Sequence, residues 1–256
     1  MSVWVTGAKG FIGSHLAREL AGAGQAVHGI GHGTLEEAER RQLGLQSWIN
    51  GEIEAANLDA LAAAHGRPSA VFHLAGGSSV GLAIAHPLED FSRSVASTAR
   101  LLEWLRVHSP QSRLIAASSA AVYGSGHSGP ISEDAALAPM SPYGRHKLMM
   151  EQLCRSYAES YGITSTVVRL FSVYGAGLRK QLLWDICSRL QESSTTQRSR
   201  NRGDTAGAEK TRPSGRVVLI EFRNLRPSPG SDPASAATGP APTRASARRT
   251  PDRRVR

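Results

Sequence analysis

The chain has 256 residues, of which 40% are hydrophobic, 5% aromatic and 20% charged, with a formal net charge of +9. No apolar run reaches the roughly 18 residues of a membrane span, and Met1-Ser2-Val3-Trp4-Val5 lacks the basic and apolar stretches of a secretory signal. Two cysteines, Cys154 and Cys187, are too few for a disulfide framework; both read as buried small hydrophobes, and a cytoplasmic location is expected.

Ser2–Thr6 reads as a strand. Phe11–Ala23 reads as a helix, with Ile12, Leu16 and Leu20 at helical spacing and Gly22 and Gly24 at its end. Ala26–Ile30 is the next strand and Ala70–Ala75 a buried one. Pro87 opens a long helix to about His108, with Leu101, Leu102 and Leu105 facing inward. Arg113–Ser118 is a strand, Pro142–Tyr161 a helix and Thr164–Phe171 a further strand. Strands alternating with helices predict an α/β fold, a doubly wound parallel sheet of Rossmann type covered on both faces.

The pattern stops near Gln191. Residues 1–191 carry 16 Lys and Arg against 15 Asp and Glu, whereas residues 192–256 carry 14 against 6, so the basic excess belongs to the tail. Ser, Thr, Arg, Gly, Pro and Ala dominate it, and only Val217–Phe222 suits a strand. Such a segment buries too little apolar surface to offset its ordering entropy, so residues 192–256 are expected to form a disordered, low-complexity basic tail. Without interleaved aromatics it carries no expectation of a dedicated nucleic-acid function.

Between the first strand and first helix stands Thr6-Gly7-Ala8-Lys9-Gly10-Phe11-Ile12-Gly13. Gly7 permits the tight turn, Gly10 lets the backbone approach a pyrophosphate, and Gly13 lets helix and strand pack closely. Free N–H groups at the helix start then face the phosphates. Residues 1–191 are therefore read as a dinucleotide-binding domain. The acidic residue that often ends the second strand is replaced by Ile30-Gly31-His32-Gly33. His32 either donates to a 2′-phosphate or is a surface histidine of a loose loop, which leaves NAD and NADP both open.

Ser119 follows a strand, and Tyr143 and Lys147 lie four apart on one helix face. A phenol titrates near pH 10, so a tyrosine base at neutral pH requires about 4 kcal/mol, the order of energy a cation in a partly desolvated site supplies. Ser119 is placed to orient the proton transfer. His73 reads as a packed core residue and His146 as solvent-exposed; no histidine spacing predicts a metal site.

The glycine loop, His73-Leu74-Ala75-Gly76, residues 118–124, Tyr143-x-x-x-Lys147 and Arg169-Leu170-Phe171-Ser172-Val173-Tyr174-Gly175 follow in a specific order within a region that makes up about three quarters of the chain. In these pieces residues 3 to about 190 resemble the extended short-chain dehydrogenase/reductase family, in its NAD-dependent epimerase/dehydratase group typified by UDP-glucose 4-epimerase. The resemblance implies that Ser119, Tyr143 and Lys147 carry catalysis, with Lys147 also holding the nicotinamide ribose. It places Glu52 and Ile53 at the adenine, has Leu74, Ala75 and Gly76 line the cofactor, and sets Phe171 to Val173 near the nicotinamide and substrate. It implies NAD(P)-mediated oxidation and reduction at C4 of a nucleotide sugar, and a homodimer through helices around residues 88–108 and 142–161. An NADP-dependent nucleotide-sugar reductase and a non-catalytic dinucleotide-binding protein are the alternatives.

The chain departs from the family at several positions. Ser94-Val95-Ala96-Ser97-Thr98 stands where relatives typically read Asn-Val-x-Gly-Thr, and Ser172 where an asparagine is usual. Ala120-Ala121 replaces the Asp-Glu pair of the 4,6-dehydratases, which argues against water elimination. Beyond Leu190 the composition does not suit the family's C-terminal substrate lobe, which is expected to be largely absent. Weak turnover is expected in consequence, and an out-of-frame origin of residues 192–256 is testable in the other two reading frames.

Overall fold

The computed structural model describes residues 1–178, positions 184, 186, 188 and 189, and residues 223–225. In chain order the elements begin β1 (Ser2–Thr6), α1 (Phe11–Gly22), β2 (Ala26–Gly31), α2 (Glu37–Gln42), β3 (Leu45–Asn50), α3 (Ala55–His65) and β4 (Ala70–His73). There follow α4 (Val80–Ala85), α5 (Pro87–Phe91), a π-helical turn (Ser92–Ala96), α6 (Ser97–His108), β5 (Arg113–Ser119) and a 3-10 turn (Ala120–Val122). The last are α7 (Pro142–Tyr161), β6 (Ser165–Leu170) and β7 (Arg223–Leu225).

The strand order is β3-β2-β1-β4-β5-β6-β7, with β1 to β6 parallel and β7 antiparallel to β6. Each strand's alternate side chains feed opposite layers. On β1, Trp4 joins Leu101, Leu105, Leu114 and Met150 in one cluster. Its neighbours Val3 and Val5 join Ala17, Val27 and Leu45 in another. The doubly wound parallel fold expected from the sequence is thus present. No helix among the described residues is long and apolar enough to cross a membrane.

Several expectations are corrected. The sequence pattern predicts nothing between β2 and β4, yet α2, β3 and α3 lie there. The edge strand β3 fully buries only Leu45, so its pattern hides it. The long helix from Pro87 to His108 runs without a gap as expected, but its middle turn, Ser92–Ala96, is π-helical. Ser97 Oγ donates to Arg93 O at 2.5 Å and Thr98 Oγ1 to Ser94 O at 2.6 Å, hydroxyls that compete with the backbone ladder there. In the tail, Arg223–Leu225 pairs with β6, against the expectation of disorder at those three residues. The remainder of that expectation, with Val217–Phe222 and Cys187, lies outside the described residues. Cys154 is buried, and burial pushes its thiol up to about 12.

Candidate active site

The strand order changes direction between β1 and β4, and such a switch point opens a crevice at the carboxyl ends of the strands. The loop after β1 and the residues after β4 meet there: a Cβ on Gly7 would lie 2.9 Å from Ala75 N. Gly7 also has φ of +70°, which a side chain would strain. A Cβ on Gly13 would stand 2.2 Å from Gly7 O, so only glycine lets α1 close on the loop. Gly10 is the N-cap of α1 and offers no side-chain acceptor. The N–H groups of Phe11, Ile12 and Gly13 in the first turn lack helical partners, a donor set and cradle that fit a pyrophosphate. The side chains of Phe11 and Ile12 pack with Val168, Leu170 and Val173.

At the end of β2, His32 Nε2 lies 3.3 Å from Glu52 Oε1. The Glu52 carboxylate, from the turn after β3, thus stands beside His32 at the end of β2. Ile53 is core, buried with Leu58 and Leu61.

Ser119 is the last residue of β5, one later than expected, and its Oγ accepts from Ala121 N at 3.2 Å. Ser141 caps α7 by accepting from Gly144 N at 3.1 Å, and Pro142 occupies the first turn. A Cβ on Gly144 would stand 2.6 Å from Ala121 O, so α7 presses on the 3-10 turn. That contact brings the Tyr143 phenol beside Ser119. One turn on, Lys147 is buried and its Nζ donates to Ala117 O at 3.0 Å. Nζ lies 5.8 Å from the centre of the Tyr143 ring, and a Cβ on Gly76 would be 3.2 Å from it. The three expected catalytic residues thus converge beside the turn after β4.

The electrostatics differ from expectation. Burial pushes the Tyr143 phenol up; the Ser119 hydrogen bond pulls it down and Asp90 pushes it up. Burial lowers Lys147 to about 8, opposed by Asp90 and Glu151. Burial is thus the largest influence on the phenol in the free chain, and its direction is upward.

Thr6 Oγ1 accepts from the N–H groups of Leu74 and Ala75, both at 3.1 Å, so its proton goes to His73 Nδ1 at 2.8 Å. His73 Nε2 then donates to Thr98 Oγ1 at 3.0 Å. The ring is a neutral core group, lowered to about 3 by burial and by Lys147. Behind Ser119, Arg169 Nη2 pairs with Glu151 at 2.7 Å and Nη1 donates to Tyr123 Oη at 2.9 Å, while Ser118 Oγ donates to Glu151. Phe171 is half-exposed near Tyr123, and Val173 is buried. His146 is not solvent-exposed as expected: Nδ1 donates to the buried Asp90 Oδ2 at 2.6 Å. Sequence spacing misses Thr6, Asp90 and Glu151 because each acts across a long loop closure. No cluster of metal-ligating side chains occurs among the described residues.

Residues 3–194 match the NAD dependent epimerase/dehydratase family, and the chain belongs to it. It is 35% identical over 176 residues to UDP-glucose 4-epimerase of Azospirillum brasilense, covering 68% of this chain and 49% of that protein. It is 32% identical over 223 residues to UDP-glucuronate 4-epimerase 1 of Arabidopsis thaliana, covering 80% and 51%. The crystal structure of UDP-glucuronic acid 4-epimerase from Bacillus cereus with UDP-glucuronic acid and NAD aligns with a TM-score of 0.66 at 30% identity, covering 75% of this chain and 63% of that one. UDP-glucose 4-epimerase from Brucella ovis with NAD aligns with a TM-score of 0.62 at 33% identity, covering 68% and 53%. The chain spans about half the length of these curated relatives.

Proposed function

We propose that residues 1–191 form the NAD-binding and catalytic part of a nucleotide-sugar 4-epimerase. The observation that carries this reading is the convergence of Ser119, Tyr143 and Lys147 on the turn after β4 that abuts the glycine loop. Gly7, Gly10 and Gly13 admit the pyrophosphate, with the N–H groups of Phe11, Ile12 and Gly13 as donors. Glu52 and His32 receive the adenosine ribose, which selects NAD; Ile53 backs the adenine end from the core. Leu74, Ala75 and Gly76 line the dinucleotide, Lys147 binds the nicotinamide ribose, and Phe171 and Val173 border the sugar.

Bound NAD supplies the hydride acceptor and donor for C4. Tyr143 would take the proton of the sugar 4-hydroxyl and return it to the C4-inverted alcohol, and Ser119 would hold that oxygen in line with the phenol. Ala120 and Ala121 offer no acid or base, so water elimination has no agent here. The relatives named above point to a UDP-sugar, and a subunit pairing through α6 and α7 accords with the exposed Val107 and Tyr161. The test is incubation of the full chain with NAD and UDP-glucose or UDP-glucuronic acid. The C4-inverted sugar is expected, with no net change in nicotinamide absorbance, and its formation is slowed roughly 10²–10⁴-fold in Tyr143→Phe.

A further inference from the structure

Lys147 is an ammonium almost wholly removed from water, with Ala117 O as a hydrogen-bond acceptor. Desolvation works against its charge. Two buried carboxylates act in its favour, Asp90 and Glu151. They are not equivalent. Glu151 accepts from Arg169 through Nε and Nη2 and from Ser118, so a permanent cation neutralises it. Asp90 is held by a histidine, whose Nδ1–H bonds Oδ2 whether or not the ring carries a second proton. The histidine holds Oδ2, and the other oxygen, Oδ1, faces the turn after β4.

The surroundings of Asp90 are the Tyr143–Lys147 face. Asp90 lies on α5 and His146 on α7, immediately before Lys147, so their bond ties the two helices beside the ammonium. The Phe91 ring meets the imidazole edge-on at 5.6 Å and covers it. Asp90 Oδ1 presses on the turn after β4: a Cβ on Gly77 would lie 1.7 Å from it, as a Cβ on Gly76 would lie 3.2 Å from Lys147 Nζ. Consecutive glycines thus separate the carboxylate from the ammonium. Gly77 N donates to Ser94 Oγ at 2.9 Å, which fixes the turn between them.

We propose that Asp90, oriented by His146, is a positioning residue that keeps Lys147 in its charged form within the buried site. The inference rests on the reading of Lys147 as the group that binds the ribose and supports Tyr143. Other ionisable groups facing the cluster are Tyr143 on α7, His73 on β4, and the Glu151–Arg169 pair between α7 and β6. Glu89 and Arg93 beside Asp90 pair with each other at 2.7 Å on the surface, and His86 precedes α5. None of these places a second unmatched carboxylate at Lys147.

The test is a pH titration of Lys147 by carbon NMR in the cofactor-free full chain labelled on lysine. The sequence has only 4 lysines, at 9, 147, 180 and 210, and Lys147→Met assigns the signal. The wild-type midpoint is expected at about 8. Asp90→Asn lowers it by about one pH unit. His146→Ala, which frees the carboxylate to turn away, lowers it by about half a unit, and His146→Gln, whose amide can still donate, restores it. An unmoved or raised midpoint in folded Asp90→Asn overturns the proposal. If that variant does not fold, an unmoved midpoint in His146→Ala does so. The titration involves neither substrate nor NAD, so its failure is distinct from that of the epimerase reading, which shows as undiminished turnover in Tyr143→Phe.

Discussion

Lys147 Nζ donates to the carbonyl of Ala117 over 3.0 Å, binding α7 to the end of β5 through a charge that burial has lowered to about 8. The fold thus keeps an ammonium where it is expensive, and the expense is intelligible only if the charge is used. Replacing it with an apolar chain of similar shape removes the desolvation cost but takes the ammonium away from the buried Asp90, whereas Glu151 keeps Arg169. Lys147→Met is therefore expected to melt lower than the wild type by calorimetry and to bind NAD more weakly. A higher melting temperature would show that the buried carboxylates do not depend on the ammonium.

Gly13 and Gly22 both lie in α1 but differ in surroundings. A Cβ on Gly13 meets Gly7 O at 2.2 Å, whereas one on Gly22 meets nothing within 4 Å. Gly13→Ala is expected to cost about 1–3 kcal/mol in urea unfolding and to displace the phosphate cradle, weakening NAD binding. Gly22→Ala is expected to be neutral or to gain up to about 1 kcal/mol, with NAD binding unchanged.

The Arg169–Glu151 pair is nearly inaccessible on both sides, unlike Arg93–Glu89, at the same 2.7 Å but half-exposed. Arg169→Met leaves Glu151 buried without its cation and is expected to cost about 3–5 kcal/mol. Arg93→Met is expected to cost less than about 1 kcal/mol. Equal losses in denaturant titrations would contradict this ranking.

His73 sets an acid limit. Burial and Lys147 hold its ring down to about 3 from an ordinary 6.5. His28 is held at about 4, first by burial and then by His65. The unfolded chain takes up these protons more readily than the folded one, so their contribution is complete above pH 6.5 and is lost as pH falls towards 3. The urea midpoint is expected to fall between neutral pH and pH 4. His73→Gln, which cannot take up the proton, should make that fall shallower. An equally steep fall would mean that other groups set the acid limit.

Wherever a local pattern and a buried face coincide, the sequence foretells the structure. Pro142–Tyr161 emerges with its expected ends because Ser141, Pro142 and Gly162 mark them chemically. The glycine loop is legible because Gly7 and Gly13 are demanded by contacts with backbone that no side chain could share. β3 escapes because an edge strand needs few apolar residues, and Leu45-Gln-Ser-Trp-Ile-Asn does not alternate cleanly. The π turn escapes because its cause, the hydroxyls of Ser97 and Thr98 bonding back, is invisible to apolar spacing. Helix position alone predicts an exposed His146, whereas its partner Asp90 lies 56 residues earlier and reaches it only through tertiary folding. The burial of Tyr143 is hidden for a related reason: spacing places Lys147 near it but does not reveal how dry the site is.

The most direct test of the tyrosine-based chemistry is a single-turnover mixing of the NAD-loaded full chain with UDP-glucose or UDP-glucuronic acid, followed at the absorbance of reduced nicotinamide. A transient rise is expected in the wild type, slowed roughly 10²–10⁴-fold in Tyr143→Phe at equal NAD occupancy. A rise of the same rate in both proteins, or none in a wild type shown to hold NAD and sugar together, would contradict the account.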